Sequence, residues 1–210
     1  MAAANILALD LPLDKKRLWN QLRIDGSQVR RALDWYRLVD GLREEARGLI
    51  EARGAFRLFE LEHLSGTEVR LAGGEELLGL RQGRLLAEAE RLALGAVTLG
   101  PRLEERSNRL AIAGDYPEAS VLSIIADCAL GEAQERVRAL ASGELGAEAA
   151  PGAVLQPGMQ YWGIEGNALF ARLLPLEAMG VRLLDSFALH PSKSKSFACL
   201  FRRATGAPAP

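Results

Sequence analysis

Between Val29 and Ala52 apolar residues recur at helical spacing, through Val29, Leu33, Tyr36, Val39, Ala46, Leu49 and Ile50, while Arg and Glu fill the other face. That period predicts a helix of about six turns, with Asp25-Gly26-Ser27 as an N-cap and Gly54 as a stop. Ahead of it, Leu11-Pro12-Leu13-Asp14 is a turn signal before a short helix around Leu18, Trp19 and Leu22. After Gly54 the period changes to two. Ala55-Phe56-Arg57-Leu58-Phe59-Glu60-Leu61-Glu62 alternates as a half-buried strand does. Ser65-Gly66 reads as a turn and Thr67 to Leu71 as the hairpin partner.

A weaker strand or turn is expected at Leu77–Leu80 and a helix from Gln82 to Arg91. Leu92 to Pro101 is uniformly apolar and short, which suits a strand buried on both faces. Pro101 then opens a helix over Arg102–Ala113, broken by Gly114-Asp115, and a longer helix runs from Pro117 to Ala141. The Gly-, Ala- and Glu-rich stretch from Ser142 to Val154 has no period and predicts an exposed loop. Gln156-Pro157-Gly158 is a turn, a short helix follows over Glu165–Leu174, and two strands, Val181–Leu189 and Lys195–Arg203, close the pattern. Helices interspersed with hairpins favour an α+β fold over a doubly wound parallel sheet. No repeat or linker divides the chain, so residues 1–210 are expected to form a single domain. It comprises an N-terminal helical segment (1–54), a core (55–203) and a disordered tail (204–210).

Composition narrows the functional classes. The 210 residues are 49% hydrophobic and 25% charged, with 26 Lys+Arg against 27 Asp+Glu. A pI near 6.2 argues against a nucleic-acid partner. No apolar run approaches the roughly 20 residues of a membrane span. The N-terminal stretch lacks a basic leader and meets Asp10 too early for a signal peptide, so a cytoplasmic protein is expected. Cys128 and Cys199 both sit in apolar runs and read as reduced, buried thiols. Neither histidine has a partner at metal-ligand spacing, so no metal site is expected.

Standard motifs are missing: there is no phosphate-binding G-x-x-x-x-G-K-[ST], no G-x-G-x-x-G opening a helix and no G-x-S-x-G. No residue is assigned as catalytic, and a self-sufficient enzyme built around Tyr161, Trp162 and the serines would lack an acid–base pair. Three segments are candidates for binding. Gln156 to Trp162 sets Met159, Tyr161 and Trp162 beside a Pro-Gly turn, which suits a planar or sulfonium ligand, or else a loop pinned to the core by Trp162. His190 to Ser196 offers the hydroxyls of Ser192, Ser194 and Ser196 and the ammonium groups of Lys193 and Lys195 to a carboxylate or phosphate, or else is a solvated connection. Asp127 to Glu135 carries acids into a buried helix, where Glu132 holds an amine or simply marks the helix surfacing.

In order along the chain, Ala96-Val97-Thr98-Leu99-Gly100-Pro101, the Asp127…Leu130-Gly131-Glu132-Ala133 helix, Gln156-Pro157-Gly158…Trp162 with Leu169-Phe170, Met179 to Phe187, and Pro191 to Ser196 resemble the activation (reactivation) domain of cobalamin-dependent methionine synthase and its short free-standing bacterial relatives. The resemblance covers residues 92–202 best. It implies one α+β domain, a twisted antiparallel sheet flanked by helices, which binds S-adenosylmethionine in a shallow groove and docks on a corrinoid-binding module. Glu132 matches a glutamate that contacts the cofactor, and Pro157 and Gly158 match the turn of the cofactor motif R-x-x-x-G-Y. Val154 stands at the arginine position and Met159 at the tyrosine position, and Phe197 replaces the glycine that follows the final serine. An arginine fork to a carboxylate is worth roughly 1.5–3 kcal/mol, so affinity is expected to be lower by about one to two decades unless Arg182, Lys193 or Lys195 substitutes.

What the resemblance implies is a methyltransferase component rather than a complete enzyme. Glu132, Pro157, Gly158, Met159, Tyr161, Trp162, Arg182, Lys193, Ser194 and Ser196 would bind S-adenosylmethionine. With no cobalamin motif such as D-x-H-x-x-G in the chain, the corrinoid would come from a partner, a cobalamin-binding methionine synthase or corrinoid protein, with a flavodoxin-like reductant. The alternative is a docking or capping module of the same fold that has lost S-adenosylmethionine binding.

Overall fold

The computed structural model describes residues 4–22, 29–63, 69–75, 77, 86, 88–147, 149–159 and 162–203. In chain order the elements are β1 (Leu7–Ala8), α1 (Lys15–Gln21), α2 (Val29–Leu49), β2 (Arg53–His63), β3 (Val69–Leu71), β4 (Arg91–Thr98), α3 (Arg102–Ala113), α4 (Tyr116–Leu145) and β5 (Ala149–Leu155). They continue with α5 (Asn167–Leu173), β6 (Arg182–Leu183), β7 (Leu189–His190) and β8 (Ser194–Arg203). Five strands form one antiparallel sheet in the order β1-β2-β4-β8-β5, with β3 hairpin-paired to the far end of β2 and β6 paired to β7 separately. The fold is α+β, as the mixture of helical and period-two patterns predicts.

The sheet is buried on both sides, and alternation along each strand sorts side chains between two cores. On one side Ala93 and Val97 of β4 and Phe197, Cys199 and Phe201 of β8 meet α2, α3 and α4. On the other, Leu92, Leu94 and Ala96 of β4 and Ala198 and Leu200 of β8 meet Trp162, Leu169, Phe170 and Met179. Polar residues are excluded from the middle of β4, which is why it reads as a continuous apolar run.

Helix α4 presents Ala126, Ala129, Ala133, Val137 and Ala141 to the sheet, all buried. These small residues admit close approach, and the sheet answers with glycine. A Cβ on Gly54 would stand 2.5 Å from the Val137 side chain, and one on Gly95 would stand 2.6 Å from the Phe197 ring. Phe197 therefore lies over its bare cross-strand neighbour, and the register pairs Gly95 with Phe197 directly. Phe197 points into the core, not into an open groove.

Several sequence expectations change. The expected loop from Ser142 to Val154 is the last turn of α4 followed by edge strand β5. Its pattern is obscured because Pro151 sits at a register shift, where an edge strand tolerates it. A Cβ on Gly152 would also approach the Leu200 carbonyl oxygen at 3.2 Å. The expected strand Val181–Leu189 is instead the β6–β7 hairpin, because Asp185 and Ser186 supply a turn closed by Phe187 N–H donating to the Leu184 carbonyl. Arg91, assigned to a helix end, belongs to β4. Of that helix Leu86 is helical and residues 88–90 lead out into β4, while its other residues, the Asp25–Ser27 cap, the Ser65–Gly66 turn and the 204–210 tail lie outside the described residues, as does most of Leu77–Leu80.

Both thiols are buried, as expected. Burial raises the Cys128 pKa and pushes Cys199 up to about 11. Neither is a thiolate near neutrality, so both should resist an aromatic disulfide reagent at pH 8 in the native protein and titrate fully in guanidinium; fast native labelling would contradict the packing. Replacing Phe197 by Ala should cost about 3–5 kcal/mol in a denaturant titration, and Gly95→Val about 1–3 kcal/mol through overpacking.

Candidate functional site

The sheet's β5 edge and the outer half of α4 bring together most of the residues singled out in the sequence. Strand β5 ends at Leu155, paired with Ala198 of β8. Gln156, Pro157, Gly158 and Met159 then form a tight turn closed by Met159 N–H donating to the Gln156 carbonyl oxygen at 3.2 Å. Proline fixes the first corner, and Gly158 takes the second with φ +82°, where a side chain would be strained. The turn is fastened to α4 through Gln156 Nε2, which donates to Gln134 Oε1 at 3.3 Å.

Seven residues before Gln134, almost two full turns, α4 carries Asp127 on the same side. Its Oδ1 accepts from Lys193 Nζ at 2.7 Å, and the same ammonium reaches Ser123 Oγ at 3.2 Å. Lys193 thus ties the start of β8 to the middle of α4. Two residues on, Lys195 projects from the same face of β8. It is half-buried, and burial holds its pKa below the usual lysine value, opposed by Asp127 and reinforced by Arg17.

Between the two tethers α4 is crossed by Arg17 of α1. A Cβ on Gly131 would stand 2.6 Å from Arg17 Nη2, so glycine here is the cradle of a guanidinium. Arg17 Nη1 then pairs with Glu135 Oε2 at 2.8 Å. Glu132, on the adjoining side, is fully engaged with the chain's own N-terminal segment: Leu13 N–H donates to Oε2 at 3.0 Å and Asp14 N–H to Oε1 at 2.8 Å. That segment is gripped from below by α2, where buried Arg43 donates from Nε to the Leu13 carbonyl at 2.6 Å and Arg47 donates to the Pro12 carbonyl at 3.0 Å. Leu13 itself is buried with φ +49°, a conformation a bulky side chain seldom adopts. The carboxylate and the two guanidinium groups hold it there.

The remaining candidates lie elsewhere. Trp162 is 2% exposed and packs on Phe170 with ring centroids 5.5 Å apart, in the core on the opposite side of the sheet. Its partner across the turn, Met159, is 64% exposed. Ser194 Oγ bonds to Thr98 Oγ1 at 2.8 Å, and buried Ser196 donates to the side-chain carbonyl oxygen of Asn167, whose amide nitrogen donates to the Phe187 carbonyl at 2.8 Å. Both serines therefore fasten structure on the face away from Asp127. Arg182 is exposed on the separate β6–β7 hairpin. Tyr161 lies outside the described residues. Sequence reasoning missed Arg17, Arg43 and Gln134; only Gly131, an unexplained glycine inside a long helix, carried a signal that something lies against it.

The site is thus a shelf at the edge of an α+β antiparallel-sheet domain, with the acids of α4 and Arg17 laid across them, two lysines at the start of β8 and a Pro-Gly turn as its outer lip. No protein-family model matches the chain, and no curated protein matches it. Among solved structures the chain is similar to the MetH reactivation domain bound to AdoHcy, with a TM-score of 0.65 over 99% of this chain and 81% of that one at 16% identity. At that identity the likeness fixes the fold. Removing the Glu132 carboxylate with Glu132→Ala should leave two backbone donors without their charged acceptor and cost roughly 1.5–3 kcal/mol. Hydrogen exchange at Leu13 and Asp14 should accelerate in the same variant; unchanged protection there would show that the arginine contacts alone hold the segment.

Proposed function

We propose that this protein is a reactivation-type module that binds S-adenosylmethionine and presents it to a corrinoid held by a separate protein. The observation that carries the reading is the likeness of nearly the whole chain to the reactivation domain solved with AdoHcy. It is supported by the Pro157–Gly158 turn, which the fold sets against α4 at an exposed edge where charged groups gather. The residues present suit such a ligand in charge: the start of β8 offers a cation for a carboxylate, and α4 offers an acid for an ammonium. Arginine is absent at Val154, which packs against the helix-side core, so the cation must come from another strand.

S-adenosylmethionine, when bound, supplies a methyl group on a sulfonium, an electrophile that needs no acid or base from the protein. What the chain contributes is orientation, since transfer to a metal nucleophile requires in-line approach and a firmly seated donor. A shelf rather than a closed pocket is consistent with that role, because the methyl group has to be reached by a bulky macrocycle on a partner. The partner would be a cobalamin-binding methionine synthase or corrinoid protein, with a flavodoxin-like reductant supplying the electron.

A second reading keeps the fold and the docking role and drops the ligand. It is favoured by Glu132, whose two oxygens are both taken by the backbone of the N-terminal segment. Thermal melting with AdoHcy separates the two. A ligand at a hundred times its Kd stabilises the native state by about 2.7 kcal/mol, which for a domain of this size raises Tm by roughly 5–10 °C. A rise of that order at millimolar AdoHcy supports the first reading; no shift, with the corrinoid protein present or absent, excludes it in favour of the docking module.

A further inference from the structure

Of the cations singled out in the sequence, two are accounted for by their surroundings. Lys193 is consumed by Asp127 and Ser123, and Arg182 is solvated on a hairpin apart from the shelf. Lys195 differs from both: it is half-buried and makes no side-chain hydrogen bond or ion pair among the described residues. By strand alternation Lys195 shares with Lys193 the face that meets α4, where Lys193 bonds Asp127, and the charges of Asp127 and Arg17 both act on its ammonium. The Lys193–Asp127 tether bounds this stretch of α4 at one end, and the Gln156–Gln134 tether bounds it at the other.

An ammonium taken partly out of water with no direct hydrogen-bond or ion-pair partner among the described residues is costly. A strand that could have carried an apolar residue at this position, as it does at Phe197, Cys199 and Phe201, carries a lysine instead. The chain uses lysine only four times, and a compact ammonium on a flexible stem suits a half-buried position that must meet an incoming anion. Beside it, Asp127 presents a second carboxylate oxygen that Lys193 does not use. A positive and a negative group side by side, both reachable from the shelf, complement a zwitterion.

We propose that Lys195 and Asp127 form the seat for the α-amino-acid end of the ligand, with the Lys195 ammonium on the α-carboxylate and the free oxygen of Asp127 on the α-ammonium. This rests on the proposed function and adds to it the element that discriminates an amino-acid-bearing nucleoside from a plain one. It also explains how the site works without an arginine on β5: the cation comes from the neighbouring strand.

Isothermal titration of the full chain with S-adenosylmethionine and with decarboxylated S-adenosylmethionine, which lacks only the carboxylate, tests it. The parent should prefer the first ligand by tenfold or more, and Lys195→Met should abolish that preference by weakening the first ligand alone, while Lys195→Arg retains most of it. Lys195→Met should melt no lower than the parent, because it removes a desolvated charge. A preference that survives in Lys195→Met overturns the seat but leaves the proposed function standing. An equal loss for both ligands shows a structural role and overturns it too. No binding of S-adenosylmethionine to the parent overturns both.

Discussion

The contact between α4 and the sheet governs the rest of the molecule. A thirty-residue helix lies across strands that are already buried on their other side, so the closest approaches have to be made by residues with almost no side chain. Gly54 beneath Val137, Gly95 beneath Phe197, and the alanines along α4 are the consequence. Close approach keeps α4 fixed relative to β8. That is what allows Lys193, just before the strand, and Asp127 on the helix to meet at 2.7 Å, and Gln156 at the end of β5 to reach Gln134. The shelf is therefore a product of core packing: its charged groups occupy the outer face of the same helix whose inner face is apolar.

This division explains which features were legible in the sequence. Elements with a strong period, such as β2, β4, α3 and α4, were readable because one or two apolar cores dictate their pattern. Edge strand β5 was not, since only Leu155 is fully buried and Pro151, Gly152 and Ala153 carry no strand signal. Its existence depends on pairing with β8, which no local pattern reports. The β6–β7 hairpin was hidden for the opposite reason: Val181 to Leu189 is apolar enough to read as one strand, and only the turn at Asp185-Ser186 divides it.

The candidate residues divide along the same line. Trp162 was ambiguous between a ligand face and a core anchor, and its burial beside Phe170 makes it the anchor that sets the Pro-Gly turn in place. Ser194 and Ser196 alternate with Lys193 and Lys195 in a run that looks uniformly polar, yet the strand's pleat sends the serines to one side and the lysines to the other. The serines are spent on Thr98 and Asn167, bonds within the fold. Strand parity, invisible until the element boundaries are known, decides which half of the run faces α4.

Glu132 is a carboxylate that the fold itself occupies. A carboxylate at this point of α4 meets whatever lies above it, and here that is the N-terminal segment, whose Leu13 is held at a positive φ by Glu132 from one side and Arg43 from the other. A strained residue persists only where its surroundings over-determine it, and two charge-assisted bonds to Glu132 supply part of that constraint. The acid is thus engaged by the fold itself, whereas Asp127, further back along the helix, keeps its second oxygen without a partner among the described residues. Nearby, at the start of β8, Lys195 stands half-buried with no hydrogen-bond or ion-pair partner among the described residues.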